Sequence, residues 1–519
     1  MRLGVVVATE KSDKPLKLEM DFSLPKPLVL VTCLILTFIF FSLLFLTTKF
    51  PFSNDEAIYF EMVTRLIHGQ GLTSLLFRDF IPQLDQQAFW YPPLYFYFIA
   101  LLYMIFGETI VVGRMFSVLC GAMVLGLMYL FVRTKLSYSY SVVGVIALLI
   151  TDPYLQDGSI IARMELLCIV FGLVAVIFHW QWLKKPTFLT NVWTGIFATL
   201  SLLTHPTGFI FVLPIGISIL FAHYPNVRSR ITSWLLFGVP TLIGLATWAT
   251  TFIGHFDAFL AQNVVQMHRK EYINYFMLRS IRELPLKRVL LLTYLFSNSF
   301  YIIRMLEQGL LKKQTNRFLF LLALSTLIFP VLMKEMWYLV YLPLLGSVFL
   351  LLNLEWFWLR KIYYAGLVFV LLIAVNLMIY LNSINQIVLK TQTYEEYGQA
   401  ISDRLPEGEK VLLSIFPDPY FYLHQQRPDL QLRESPNTPN NEPLDPAIYN
   451  TILSDVNYLV ISMVPNNTLT QYYQENLETV VYQDKSAGHY DLLILKLKPL
   501  EERAPVQVRK SMYWQYPKF

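Results

Sequence analysis

The groups in this chain that could do chemistry stand at the edges of its apolar stretches. Ser53-Asn54-Asp55-Glu56 follows the first such stretch and opens a helically spaced run, Ala57, Phe60, Val63 and Ile67, that stops at His68-Gly69-Gln70-Gly71. Ser53 or Asn54 suits an N-cap, and Asp55 and Glu56 favour the positive end of the helix dipole. Paired acids held at a membrane face are also well sited to act as general base on a membrane-bound substrate. A second charged group, Ala162-Arg163-Met164-Glu165, separates two apolar stretches. Arg163 there can pair with Glu165 or Asp157 merely to brace a turn. His205 precedes Pro206 in a broken apolar run, as an inward-facing polar group or as a cap, and Lys334 is either a functional cation or a side chain snorkelling to the interface.

The composition dictates what must hold these groups. Of 519 residues, 55% are hydrophobic, 15% aromatic and 15% charged, against about 25% charged in a soluble protein. Stretches 28–46, 111–132 and 362–381 carry almost no charge and suffice to cross a hydrocarbon core of about 30 Å. The expectation is a polytopic α-helical membrane protein, with the bilayer as its medium. The net charge of +5 is small and scattered, which gives no reason to expect a nucleic-acid partner. Cys33, Cys120 and Cys168 all fall in apolar stretches and read as small buried hydrophobes, not as disulfides or thiolate ligands.

Basic loops favour the cytoplasmic side and so act as a ruler. They fall at Arg133/Lys135, Lys184/Lys185, Arg228/Arg230, Lys312/Lys313/Arg317 and Arg360/Lys361. Between them lie span pairs 139–154 with 164–183, 192–205 with 208–222, 231–254 with 287–303, and 318–333 with 337–354. The ruler closes if 111–132 is the sole crossing between the first span and Arg133. The aromatic run Pro93–Phe106 is then an interfacial or re-entrant helix, and the total is about eleven crossings with an exterior carboxyl terminus. Residues 1–27 form a cytoplasmic tail, 28–381 the transmembrane module with exterior loops 48–110 and 255–286, and 382–519 a small exterior α/β domain. In that domain Val411–Ile415, Tyr458–Ser462 and Leu492–Leu497 read as strands, Tyr394–Leu405 as a helix, and Glu434–Pro446 as a loop.

The two exterior loops are where function is expected, because charge near a bilayer is costly and persists mainly for a reason. The first ends in Phe89-Trp90-Tyr91-Pro92-Pro93-Leu94-Tyr95, then Phe106-Gly107-Glu108, then Gly113-Arg114-Met115-Phe116-Ser117. Asp-Glu after span one, aromatic-Pro-Pro-Leu-Tyr, Phe-Gly and this Arg occur in the order and spacing of a known family. Ala162-Arg163-Met164-Glu165-Leu166-Leu167, Leu203-Thr204-His205-Pro206 and Lys334-x-x-x-Tyr338 extend the match. The chain resembles the C-type integral-membrane glycosyltransferases, and within them the protein O-mannosyltransferases and lipid A aminoarabinose transferases. It differs from the protein-mannosylating branch in carrying Tyr91 before the Pro-Pro pair, and Glu165 where the family usually has Asp.

The resemblance implies transfer of a sugar, a hexose or a pentose, from a polyprenyl- or dolichyl-phosphate donor to an extracytoplasmic lipid, glycan or protein acceptor. It implies a bacterial plasma membrane, or an endoplasmic reticulum membrane in a eukaryote, with the site on the periplasmic or lumenal side. In that reading Asp55 is the general base, while Glu56 and Glu165 position the acceptor or a metal ion. Arg114, Arg163, His268, Arg269, Lys270 and Lys334 are the candidates to hold the donor phosphate, through charge-assisted hydrogen bonds. Tyr59, Tyr91, Asp157 and His205 are the candidates to position the acceptor. The loop 255–286 either closes over bound substrate or lies on the bilayer as a plain amphipathic helix.

With no Gly-rich phosphate loop, a nucleotide-sugar or ATP donor is disfavoured. No cofactor is called for, although a divalent cation on Asp55, Asp157 or Glu165 stays open. A transporter or flippase for a lipid-linked sugar is the rival reading; it calls for paired broken helices at mid-membrane, whereas here acids and aromatics gather on one side. A non-catalytic scaffold is a third.

Overall fold

The structure, a computed structural model, describes residues 26–46, 53–134, 139–271, 285–333, 336–359, 364–388, 390–435, 446–462 and 467–505. Helix α1 (Pro27–Phe45) starts with proline at its first position, where no N–H partner is lost. Leu36 and Phe40 stand exposed on it, as lipid-facing side chains do, while Val31 and Phe38 are buried. The following α2 (Asn54–Ile67) opens with a capping box: Ser53 Oγ accepts from the Glu56 N–H, and the Glu56 carboxylate accepts from the Ser53 N–H.

After an irregular loop comes α3 (Leu94–Phe106), whose buried residues Tyr95, Phe96, Ile99, Ala100 and Tyr103 follow helical spacing and pack on α2. Its 13 residues reach about 20 Å, short of a hydrocarbon core. Then follow α4 (Ile110–Val132), α5 (Ser139–Ile150), α6 (Pro153–Ile160), α7 (Glu165–Lys184), α8 (Phe188–Thr204), α9 (Phe209–Leu220), α10 (Val227–Phe252) and α11 (Phe256–Glu271). They are succeeded by α12 (Pro285–Glu307), α13 (Gln314–Met333), α14 (Tyr341–Leu359) and α15 (Tyr364–Val388). Among the described residues, six helices are long and apolar enough to cross a membrane, and five shorter apolar helices accompany them.

The apolar stretch expected to run to residue 154 divides. It stops at Ile150, and Asp152 then caps the short α6, accepting from the N–H groups of Tyr154 and Leu155 with Pro153 at the first helical position. Asp152 also accepts a hydrogen bond from the Tyr294 hydroxyl of α12 at 2.9 Å. Helix α6 thus leads directly into the turn that carries Arg163.

The C-terminal α/β domain follows α16 (Tyr394–Ser402), which the Thr393–Glu396 capping box starts. Its elements run β1 (Lys410–Ser414), α17 (Tyr420–Gln426), β2 (Gln431–Glu434), α18 (Pro446–Ser454), β3 (Tyr458–Ile461), α19 (Asn467–Asn476), β4 (Leu477–Asp484) and β5 (Leu492–Leu497). The sheet order is β2-β1-β3-β5-β4, with β1 parallel to β2 and β3 and β5 antiparallel to β3 and β4. The central β3 is buried along its whole length.

This domain sits on the first exterior loop. The Glu434 N–H donates to the Leu76 carbonyl at 3.0 Å. Arg433 pairs with Asp79 at 3.0 Å and with Asp455. Arg78 meets Asp455 at 2.7 Å, and Phe60 of α2 packs edge-on against Phe421 of α17. Two chain segments some 350 residues apart in sequence are therefore one joint.

Candidate active site

The turn between α6 and α7 meets the start of α2, and the acids and arginines of both form two ion pairs of different kinds. Glu56 and Arg114 have no exposed side-chain surface. Arg114 donates from Nε to Glu56 Oε1 at 2.8 Å and from Nη2 to Oε2 at 2.7 Å, the two-pronged geometry that a guanidinium fork favours. The Ala162 N–H donates to Oε1 at 2.9 Å, and the Ser53 N–H to Oε2 at 3.2 Å. Each carboxylate oxygen thus takes two donors. A buried, fully bonded pair of this sort fixes geometry, and it locks α2 to α4 and to the Arg163 turn.

The second cluster reaches the surface. Arg163 donates to Glu165 from Nη2 at 2.7 Å and from Nε at 3.1 Å, and its Nη1 donates to Asp55 Oδ2. Burial works against the Arg163 charge, but Glu165 and Asp55 outweigh it and raise its pKa well above the ordinary value. Glu165, first residue of α7, is 5% exposed at its side chain, whereas Asp55 keeps 31%. The second oxygen of Asp55, Oδ1, has no hydrogen-bond partner among the described residues. This cluster therefore keeps the Asp55 carboxylate part-exposed and holds the charges of Arg163 and Glu165 inside.

A row of rings continues from it. Tyr59, one turn on from Asp55, packs against Tyr91, with ring centroids 6.0 Å apart. Tyr91 lies 5.4 Å from His205, and His205 lies 5.3 Å from Tyr338. Burial, then the neighbouring Tyr91, push the Tyr59 phenol well above its ordinary pKa and keep it neutral. His205 caps the short turn Pro206–Gly208: its Nδ1 accepts from the Thr207 N–H at 3.1 Å, so the neutral ring carries its proton on Nε2. Thr207 Oγ1 in turn meets the Tyr341 hydroxyl at 2.5 Å.

The structure thus brings together Asp55, Glu165, Arg163, Tyr59, Tyr91 and His205 as one site, with Glu56 and Arg114 directly behind. Asp157 lies partly buried on α6, and among the described residues no three acids, histidines or cysteines gather as a metal ion requires. A guanidinium lies between Asp55 and Glu165, and the divalent cation left open on Asp55, Asp157 or Glu165 meets no group of three such ligands among the described residues. His268, Arg269 and Lys270 belong to α11, but their side chains, like Lys334 as a whole, lie outside the described residues. Asp152, Thr207 and Tyr341 were not expected to contribute. The Asp152-Pro153 pair, an N-cap followed by a first-turn proline, is a signal that could have found the first; Thr207 and Tyr341 carry no such mark.

Residues 91–252 match the family of dolichyl-phosphate-mannose-protein mannosyltransferases, over less than half of the chain. A comparison with curated proteins finds no match. Among solved structures, ArnT from Cupriavidus metallidurans in the apo state is similar at TM-score 0.57 and 13% identity, over 92% of this chain and 99% of that one. The same enzyme bound to undecaprenyl phosphate gives 0.54 and 14%, over 90% and 97%. The archaeal oligosaccharyltransferase AglB from Archaeoglobus fulgidus, in complex with an inhibitory peptide and a dolichol-phosphate, gives 0.52 and 13%, over 86% and 70%. The chain therefore has the fold of ArnT and AglB over most of its length, and the resemblance read from its motifs is matched by the mannosyltransferase family over residues 91–252.

Proposed function

We propose that this protein transfers a sugar from a polyprenyl- or dolichyl-phosphate donor to an extracytoplasmic acceptor. One observation carries the reading: Asp55 is part-exposed and held through one oxygen by the buried Arg163, and its other oxygen has no hydrogen-bond partner among the described residues. Asp55 takes the proton of the acceptor hydroxyl as that oxygen attacks the anomeric carbon, and the bond from the anomeric carbon to the lipid phosphate breaks. Arg163, braced by Glu165, aims the carboxylate. Glu56 and Arg114 hold the platform beneath.

The phosphate leaves with its charge stabilised by cations, for which Lys334, His268 and Arg269 are assigned because Arg114 and Arg163 are already engaged by acids. Tyr59, Tyr91 and His205 line the acceptor side. The relatives that were solved with undecaprenyl phosphate and dolichol-phosphate support a lipid-linked donor. We assign about eleven crossings, with the site and the C-terminal domain on the periplasmic or lumenal face of a bacterial plasma membrane or the endoplasmic reticulum.

The test is to incubate purified protein with a panel of polyprenyl-phosphate hexoses and pentoses together with membrane acceptors. Consumption of one donor with a labelled acceptor supports the assignment. A donor that is carried across vesicles unchanged would support the flippase reading instead.

A further inference from the structure

At the end of α2 remote from Asp55 lies a cleft of about 560 Å³ between that helix and the C-terminal domain. Its walls carry Arg65 of α2, Arg78 of the following loop, and Arg427 and Arg433 of the C-terminal domain, whereas Glu61 is the sole acid among the described lining residues. Three of these arginines are tied down. Arg78 and Arg433 share Asp79 and Asp455, and Arg427 faces Asp429 at 2.9 Å and the Ser402 carbonyl at 2.8 Å.

Arg65 differs. Its Nε donates to Thr73 Oγ1 at 2.7 Å, and among the described residues its terminal nitrogens have no hydrogen-bond partner. Glu61, one turn earlier, does not neutralise it with an ion pair: its carboxyl accepts from the Ser74 hydroxyl, the Leu75 N–H at 3.0 Å and the Leu76 N–H at 3.2 Å. The cleft therefore offers an open guanidinium fork in a basic wall. Gln70 and Gln431, both exposed and both lining it, add amides that can donate to and accept from hydroxyls.

A fork of N–H donors matches a carboxylate or phosphate, and flanking amides match a hydroxyl-rich ligand. We propose that this cleft is an acceptor subsite for an anionic saccharide, with Arg65 as its anchor. It rests on the transferase reading above. Arg65 stands ten residues from Asp55 in α2, about 15 Å along the axis, a separation that an extended acceptor with its reacting hydroxyl at Asp55 can bridge.

Calorimetric titration of the full-length protein in detergent tests this without any transfer step. The probes are tetragalacturonate, neutral maltotetraose and inorganic phosphate. Tetragalacturonate is expected to bind saturably, with maltotetraose and free phosphate each about tenfold weaker or more, and Arg65→Gln is expected to lose about tenfold in tetragalacturonate affinity. Arg78→Gln, which leaves Asp455 paired with Arg433 and Lys410, is expected to weaken it as well and serves if the first variant does not fold.

Absence of saturable binding, equal affinity for maltotetraose, or unchanged affinity in the folded Arg65 and Arg78 variants overturns the proposal. Phosphate binding as tight as tetragalacturonate overturns its saccharide part. Binding by a chain that transfers no sugar from any donor removes the transferase reading and with it the acceptor role, yet leaves the anionic-saccharide site standing.

Discussion

Replacing Glu56 by Gln is the substitution whose cost the structure states most plainly. Glu56 Oε1 takes donors from Arg114 Nε and the Ala162 N–H, and Oε2 takes them from Arg114 Nη2 and the Ser53 N–H. A glutamine amide has one oxygen and one NH2, so either way round its NH2 faces two donors and Arg114 keeps an uncompensated charge at 0% exposure. Breaking one member of a buried ion pair typically costs about 3–5 kcal/mol. At about 2 °C per kcal/mol for a large chain, thermal unfolding in detergent should fall by roughly 6–10 °C. Arg114→Met should lose a similar amount, and Glu56→Gln combined with Arg114→Met should recover much of it, because no charge then remains buried alone. A Glu56→Gln protein that melts with wild type would refute the assignment of this pair as the joint between α2, α4 and the Arg163 turn.

Three further outcomes are expected. Lys334→Ala should weaken binding of a polyprenyl-phosphate sugar roughly ten- to a hundredfold, by loss of a charge-assisted contact; unchanged donor binding removes Lys334 from the site. With cysteines placed singly at Gln425 and Lys185, both exposed, an impermeant thiol reagent on oriented vesicles should label the two from opposite faces; labelling of both from one face contradicts the topology. The docking of the C-terminal domain should weaken as pH rises. Burial pushes Asp418 up to about 6 and raises Glu434 well above the usual carboxylate range, with Asp418 adding to that rise. Both are thus protonated more readily in the folded chain than in the unfolded one, so their stabilisation is full below the unfolded values near pH 4 and is lost as pH rises through about 6 and beyond. Limited proteolysis between pH 4 and 8 reads this, and Glu434→Gln should flatten the profile.

Much of this arrangement was legible in the residues. Low charge and long apolar stretches specify membrane helices by composition, and Ser53 with Glu56 at three-residue spacing is a capping signal that the structure realises. Three strands were readable as short apolar runs because they lie inside the sheet and are buried. Strands β2 and β4 were not, because both lie at the edges of the sheet: β2 is Gln-Leu-Arg-Glu, with one apolar residue, and β4 has mostly exposed or half-buried side chains and an irregular register. Ion-pair partners were the harder part. Asp55, Glu56, Arg114 and Arg163 were each visible as charges at a membrane edge, but which acid meets which arginine depends on how α2 packs against α4 and the α6–α7 turn, up to 108 positions away in sequence. Pattern identified the charges, and packing decided that Glu56 with Arg114 is a buried brace while Asp55 faces outward.

The role of Asp55 is tested most directly by Asp55→Asn, assayed in a single turnover with bound donor. Asparagine leaves the Ser53 cap in place, and Arg163 keeps its bonds to Glu165, so folding and donor binding should match wild type. Removal of a general base typically lowers the rate by about 10²–10⁴, and sugar transfer should fall by that much while the donor stays bound. Transfer at near wild-type rate by a folded, donor-loaded Asp55→Asn protein would contradict the assignment of Asp55 as the base.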